Sequence, residues 1–167
     1  MTNALPPITI DVAGLGLIFY SPFAAVEIRE GENYFQRCFS DPAFVERQAV
    51  AGRMVGVATG TPGRFHLRPL PGYPTQDQID SYPYRLRLAV EVRAGGLCVR
   101  DLYDLMDWTA ACPAAQVIDL ASGFYHITLL SRDPPSGVLG DHQEIQVFYK
   151  PLPQLPAMRY SGVPTLC

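Results

Sequence analysis

Lysine is nearly absent from this chain. Of its 13 basic residues, twelve are arginine and only Lys150 is lysine. A phosphate-binding loop of the Walker type needs a lysine, so this kind of nucleotide site is excluded everywhere else in the chain. The formal net charge of -3 also provides no basic field for a phosphate backbone, which argues against nucleic acid as a partner.

Cysteine pairs with the spacing of metal or redox sites are also missing. Cys38, Cys98, Cys112 and Cys167 lie 60, 14 and 55 residues apart, with no CxxC motif. We interpret them as free thiols; the alternative is two disulfides in an exported protein. The first residues carry no positive charge and Asp11 breaks the next apolar run, so we expect a cytoplasmic protein without a membrane partner.

Motifs of catalysis are equally scarce. The SG pairs at 122–123 and 136–137 lack the surrounding GxSxG elbow, and the glycines between 52 and 63 lack a GK[ST] ending. We therefore predict that the chain is not an enzyme and holds no cofactor or metal. The alternative is a β-barrel enzyme, or a protein that binds a small ligand or metal, which would use His66, His126 and His142.

What the chain does contain is enough hydrophobic sequence for one core. It has 167 residues, of which 48% are hydrophobic and 17% are charged, far from the composition of disordered chains. We predict a single β-rich domain over residues 1–167. Its proline-rich tail, residues 151–167, is expected to pack as an extended C-terminal strap.

Alternating apolar and polar residues predict about eight strands. The clearest is at 84–92, where tyrosine, leucine and valine alternate with arginine and glutamate. Residues 8–20 are expected to form one strand with a bulge or bend at Gly14 and Gly16, which makes a hairpin with a second strand at 24–28. The strands at 55–59 and 64–68 are expected to turn through the GTPG sequence at 60–63. The other predicted strands are at 97–99, 117–120, 124–130 and 143–149. This pattern predicts a mainly β fold, an antiparallel β-sandwich or open barrel.

Two or three short helices complete the prediction. Asp41 before Pro42 is a helix start, and this helix would run to about Val50. The proline-rich loop at 69–83 has room for one helical turn at 75–82. A further short helix, residues 102–108, would be capped by Asp101.

That last helix carries the most informative motif, DLYDLMDW at 101–108. Asp101, Asp104 and Asp107 recur every three residues and would form an acidic flank, with Tyr103 and the sole tryptophan, Trp108, beside it. The core-facing positions of the same helix would be Leu102, Leu105 and Met106. Exposed aromatics with clustered carboxylates are typical of a surface for a basic protein partner. The alternative is that Asp101 is only a cap, the other aspartates are solvated and Trp108 fills the core.

A second aromatic and acidic cluster lies in the loop at 72–82. Asp77, Asp80 and Tyr82 are its predicted partner-binding residues. Long loops with tyrosine and proline are costly to order unless they are packed or used. This loop therefore either binds a partner or covers the sheet.

Several segments together resemble a family of small bacterial proteins that are encoded beside secreted toxins. The segments are DLYDLMDW at 101–108, SGFYHIT at 122–128, PSGVLGDHQ at 135–143 and GVPTLC at 162–167. The likeness covers about the last two-thirds of the chain and is to immunity proteins of contact-dependent systems, particularly type VI secretion. It implies a stoichiometric inhibitor in the producer's cytoplasm that occludes a cognate toxin without turnover.

We therefore predict a cytoplasmic protein that neutralises a toxin, possibly a nuclease, through its acidic and aromatic residues. A nuclease is basic where it holds nucleic acid, so an acidic surface suits its blockade. Besides the enzyme or ligand-binding alternative, a structural subunit of a secretion assembly is a third possibility. The oligomeric state is open at this point.

Overall fold

The chain forms two packed β-sheets. Over residues 4–160 and 163–166, which the computed structural model describes, nine strands form. They are β1 (Ile8–Val12), β2 (Gly16–Tyr20), β3 (Met54–Ala58), β4 (Gly63–Pro71), β5 (Tyr84–Val92), β6 (Leu97–Asp101), β7 (Val117–Ile118), β8 (Gly123–Ser131) and β9 (Gln143–Leu152). One sheet has the order β1-β4-β9-β8-β5 and the other β3-β2-β6-β7. The strand pairs are antiparallel except β4 with β9, which is parallel. The predicted mainly β class is confirmed.

Short helices connect the strands. The α-helices are α1 (Pro42–Val50) and α2 (Gln76–Ser81), and the remaining helical segments are Pro22–Ala25, Phe35–Phe39, Leu102–Met106 and Ala114–Gln116. The Asp41 side chain accepts a hydrogen bond from the Ala43 amide at 3.0 Å, which confirms the predicted start of α1. Thr75 and Gln78 form a capping box at the start of α2, where one helical turn was expected. Among the described helices, none has the length and apolarity to span a membrane.

The predicted strand at 24–28 is wrong. Residues 22–25 form a 3-10 helix, in which Ala24 and Ala25 are buried, whereas Val26 is exposed. The spacing of Ala24, Ala25 and Ile28 places them together on the inner side of a helical turn, and the alternation of a strand would have separated them. The predicted hairpin therefore does not form, and the single bulged strand predicted over residues 8–20 is instead two strands, β1 and β2, which belong to different sheets.

The predicted hairpin of 55–59 with 64–68 is also wrong, although both strands form. β3 pairs with β2, whereas β4 pairs with β1 and β9. The turn at 60–63 thus carries the chain from one sheet to the other. At this crossing a Cβ on Gly140 would lie 2.2 Å from the Pro62 carbonyl oxygen, so the close approach of the two loops requires glycine there.

The buried side chains form three groups, one between the two sheets and one on the outer side of each sheet. The largest lies between the sheets and draws on both, with Phe19, Leu88 and Ile127 among its fully buried members. A second group covers the outer side of the four-stranded sheet, where Tyr20 meets Trp108. A third, smaller group lies on the outer side of the five-stranded sheet and contains Tyr82. The C-terminal tail returns to β3, where Ala58 pairs with Thr165.

Candidate interaction surface

The DLYDLMDW motif begins where β6 ends and is anchored there by one carboxylate. Asp101 Oδ1 accepts a hydrogen bond from the Tyr103 amide at 3.0 Å and so caps the segment Leu102–Met106. Its other oxygen, Oδ2, accepts from the amide of Ala13 at 2.7 Å in the bend between β1 and β2. Asp101 therefore ties that bend to the start of the motif. The predicted capping role is confirmed, and the same bonds leave its carboxylate largely occupied.

The segment is a 3-10 helix, and this changes which side chains are exposed. With three residues per turn, side chains three positions apart lie above one another. Tyr103 and Met106 share one edge and are 40% and 38% exposed. The prediction that Met106 faces the core is therefore wrong, because it assumed the 3.6-residue period of an α-helix. Leu105 is fully buried as expected.

A buried arginine supports the motif from below. Arg100 is only 3% exposed, and its Nε donates to Asp104 Oδ2 at 2.9 Å. Its Nη1 donates to the Thr109 carbonyl oxygen at 2.6 Å and to the Tyr20 hydroxyl at 3.2 Å. Burial by itself lowers the pKa of Arg100, but the hydrogen bonds to Tyr20 and Asp104 outweigh it and the net pKa is raised. Arg100 thus stays charged inside the protein. Sequence reasoning missed it, because Arg100 occupies a buried strand position that gives no charge pattern.

Trp108 lies in the core and not on the surface. Its side chain is fully buried, with its ring 5.6 Å from that of Tyr20. The indole packs under the motif and cannot contact a partner from this position. The prediction that Trp108 contacts a partner is therefore wrong, and the alternative interpretation, in which Trp108 fills the core, is confirmed.

Four exposed residues and the half-buried Asp104 form what we call the aromatic-acidic patch: Leu15, Tyr103, Asp104, Met106 and Asp107. The Tyr103 ring lies against the β1–β2 bend, because a Cβ on Gly14 would be 2.6 Å from Tyr103 Cδ1. Leu15, the next residue of that bend, is 52% exposed. Asp107 is exposed, whereas Asp104 is half-buried against Arg100. The patch therefore joins an apolar centre to carboxylates at its border.

An acidic groove adjoins the patch. A cavity of about 280 Å³ is lined by Thr9, Ile10, Asp11, Asp101, Asp104 and Gln116. The Arg64 guanidinium donates to Asp11 at 2.7 Å, and this hydrogen bond holds the pKa of the Asp11 carboxyl below its usual value. Three carboxylates thus line one groove beside strand β1, which is an edge of its sheet.

The second predicted cluster lies on a different face of the protein. Asp77 and Asp80 are exposed on α2, but Tyr82 is buried against Leu130 and Phe148. This group covers the outer side of the five-stranded sheet, whereas the aromatic-acidic patch lies over the four-stranded sheet. The structure therefore does not join residues 77–82 and 101–108 into one surface, and Tyr82 acts in covering the sheet.

The histidines divide into two places. His66 Nε2 and His142 Nδ1 are 2.9 Å apart, beside a cavity of about 450 Å³ that includes His142 and Glu144 in its lining. His126 is bonded instead to the Tyr73 hydroxyl at 3.0 Å. On β9, the residues opposite His66 and His126 are Glu144 and Lys150, so about 20 Å of strand separates them. Within the part of the chain that the structure describes, no group of three or more His, Cys, Asp or Glu side chains is placed to hold a metal ion.

We compared the sequence and the fold with those of known proteins. No protein-family model matches the sequence, and no curated protein matches it significantly. Two solved structures share the fold. The first, described as "Crocagin biosynthetic gene J", has a TM-score of 0.56 and 13% identity over 87% of this chain and 98% of its own. The second is ComJ from Bacillus subtilis, an inhibitor of the DNA-degrading activity of NucA, with a TM-score of 0.53 and 10% identity over 91% of this chain and 99% of its own. At these identities the likeness defines the fold alone.

Proposed function

We propose that this protein is a stoichiometric inhibitor that neutralises a cognate toxin, a nuclease, by covering its nucleic-acid-binding surface. The observation that carries the proposal is the aromatic-acidic patch, an exposed tyrosine and methionine bordered by carboxylates on a well-anchored segment. The protein acts by binding and not by turnover. Its setting is the cytoplasm of a toxin-producing cell of the contact-dependent or type VI secretion kind.

The structural neighbour ComJ supports an inhibitor role. ComJ inhibits a DNA-degrading activity and shares the architecture over nearly its full length. A fold hosts many functions, so this support is by analogy and the site must carry the rest. The DLYDLMDW motif, which also contributed to the resemblance to immunity proteins, forms most of the exposed site.

The chemistry of the patch suits a basic partner. A nuclease holds its substrate with positive charge, and carboxylates placed opposite that charge accelerate association and set the orientation of the complex. Tyr103 and Met106 provide the apolar contact area that is typical of the centre of an interface. Asp107 provides the exposed negative charge at the border, because Asp11 and Asp104 are already paired with Arg64 and Arg100.

The test is whether the product of the neighbouring gene degrades DNA and whether this protein inhibits that activity. We expect an equimolar complex and complete inhibition at a ratio of one to one. Tyr103→Ala should weaken the complex about 30-fold, the equivalent of roughly 2 kcal/mol for a central aromatic contact. Asp107→Lys should slow association more at low than at high salt.

Asp77→Lys is the matched control, because it makes the same charge change at an exposed position on the opposite face. It should leave the affinity within about threefold, a difference below 1 kcal/mol. Equal effects of Asp77→Lys and Asp107→Lys would show that net charge, and not the patch, governs binding. Persistent DNA degradation in the presence of excess protein would contradict the proposal as a whole.

A second candidate function rests on the contact between His66 and His142 beside the 450 Å³ cavity. His142, Glu144 and Arg132 in the lining of this cavity, with His66 bonded to His142 from outside it, could hold a small polar ligand. Zinc titration of the protein and of His142→Ala tests its metal-binding version. Stoichiometric zinc lost in the variant would favour this function over inhibition.

A further inference from the structure

Two cysteines meet at the base of the aromatic-acidic patch. Cys98 lies in β6, directly opposite Val117 of β7, and Cys112 lies just before the segment that leads into β7. The Cys112 sulfur is 3.6 Å from the Pro113 carbonyl oxygen and 4.0 Å from that of Gln116, the residue before Val117. Both cysteines also pack in the group of buried side chains on the outer side of the four-stranded sheet, so the strand register and this packing bring the two side chains together.

The two thiols differ in the way that disulfide exchange requires. Cys98 is 1% exposed, whereas Cys112 is partly accessible to solvent. The hydrogen bond from Cys98, followed by the nearby charge of Arg100, lowers the pKa of the Cys112 thiol; the same hydrogen bond and burial raise the pKa of Cys98. The accessible thiol is therefore the better nucleophile, and the buried one is placed to resolve the product.

We propose that Cys98 and Cys112 form a reversible disulfide that locks the aromatic-acidic patch in place. The oxidant is a low-molecular-weight disulfide such as oxidised glutathione. The Cys112 thiolate attacks one of its sulfur atoms, which forms a mixed disulfide and releases one thiolate. Cys98 loses its proton to solvent and attacks the Cys112 sulfur, which forms the Cys98–Cys112 bond and releases the second thiolate. Overall, two protein thiols are oxidised and one small disulfide is reduced to two thiols.

A disulfide between Cys98 and Cys112 would enclose the segment that carries most of the aromatic-acidic patch. The segment between the cysteines, residues 99–111, contains Arg100, the capping carboxylate Asp101 and four of the five patch residues. In the reduced protein this segment is held by hydrogen bonds and packing alone. A covalent closure of the loop limits its opening, because fewer open conformations remain accessible. The effect on a partner rests on the proposed function, whereas the disulfide itself does not.

The test uses the full chain with Cys38→Ser and Cys167→Ser, so that only the proposed pair remains. After equilibration with reduced and oxidised glutathione, alkylation and intact mass should show both thiols lost together without a lasting glutathione adduct. Hydrogen exchange of amides in residues 102–111 should slow at least tenfold on oxidation, while that of β5 stays unchanged. The proposal would be overturned by a glutathione adduct that persists on Cys112. It would also be overturned if both thiols still reacted with the alkylating reagent after oxidation.

Single variants separate the two steps. With Cys98→Ser, the mixed disulfide on Cys112 should accumulate, because nothing resolves it; with Cys112→Ser, Cys98 should stay reduced. Equal glutathione adducts on Cys98 and Cys112 would contradict the assigned roles.

If the disulfide forms and slows hydrogen exchange but no toxin binds either form, the proposed function fails and the disulfide stands. If the toxin binds both forms equally, the regulatory role fails alone.

Discussion

The guanidinium carbon of Arg100 lies 4.3 Å from the centre of the Trp108 ring, beneath the aromatic-acidic patch. This places the buried cation on the face of an aromatic ring, where the ring quadrupole attracts it. The same guanidinium bonds Asp104 on the side nearer the surface. The chain's only tryptophan and one of its patch carboxylates are thus held by a single buried side chain.

Replacement of Arg100 should be among the most destabilising changes in this region. Arg100→Met removes the bonds to Asp104, Thr109 and Tyr20 and leaves the buried Tyr20 hydroxyl and the half-buried Asp104 carboxylate without this donor. We expect a loss of about 3 kcal/mol in the free energy of unfolding. Urea denaturation followed by Trp108 fluorescence measures it, and the emission of the folded variant should also change because the indole loses its cation.

Arg100→Lys is the informative companion, since it keeps the charge but not the planar fork. It should recover only part of the lost stability. If Arg100→Met were within about 0.5 kcal/mol of the wild type, a typical limit for surface changes, the structural role of this arginine would be refuted.

Asp101 and Asp107 should respond differently to the same neutralisation. Asp101→Asn leaves one oxygen for the amides of Ala13 and Tyr103, which the carboxylate now binds with two. We expect a loss of about 1–2 kcal/mol in unfolding free energy. Asp107→Asn should change stability by less than about 0.5 kcal/mol because its side chain is exposed. Thermal melts of both variants test this, and comparable losses would contradict the anchoring role of Asp101.

The elements that could be predicted are those whose signals are local. The helix start at Asp41–Pro42 and the alternation of residues 84–92 each follow from neighbouring residues, and both are confirmed. Strand pairing depends on distant segments, so β3 and β4 were assigned to one hairpin although they belong to different sheets. The GTPG turn chemistry at 60–63 is the same for a hairpin and for a crossing between sheets.

The candidate site was located in part. The motif at 101–108 contains exposed Tyr103 and Asp107, but its helix type set which residues face out, and period counting had assumed an α-helix. The contribution of Leu15 depends on the packing of the β1–β2 bend against Tyr103. No spacing in the sequence carries that information, because the two segments are joined only by tertiary contacts.

A pair of glycines should separate backbone conformation from close packing. Gly140 and Gly72 both have positive φ, at 82° and 84°. A Cβ at Gly140 would meet the Pro62 carbonyl oxygen at 2.2 Å, whereas at Gly72 it would meet nothing within 4 Å. Gly72→Ala should therefore cost about 1 kcal/mol for the left-handed conformation alone, and Gly140→Ala at least about 2 kcal/mol more. Chemical denaturation of both variants measures the difference, and equal losses would show that the two loops can separate at no cost.

Protonation of His126 should lower the free energy of unfolding when the pH is made mildly acidic. Burial, followed by the charge of Arg87, holds the pKa of His126 below its ordinary value of 6.5 in the folded protein. In the unfolded chain the imidazole takes up a proton near that ordinary value. Between the two pKa values the unfolded state binds more protons, so stability falls as the pH drops through about 6.5 and stops falling below the folded-state pKa.

His126→Asn tests this contribution, since its amide reaches the position of Nδ1, keeps the contact with the Tyr73 hydroxyl and does not titrate. The variant should lose less thermal stability than the wild type between about pH 7.5 and 5. His66 and His142 are present in both proteins, so the difference between the two curves isolates His126. If both proteins lose the same thermal stability, the protonation of His126 is not coupled to folding. The packing of the Tyr73 loop on the sheet would then contribute a free energy that does not depend on pH.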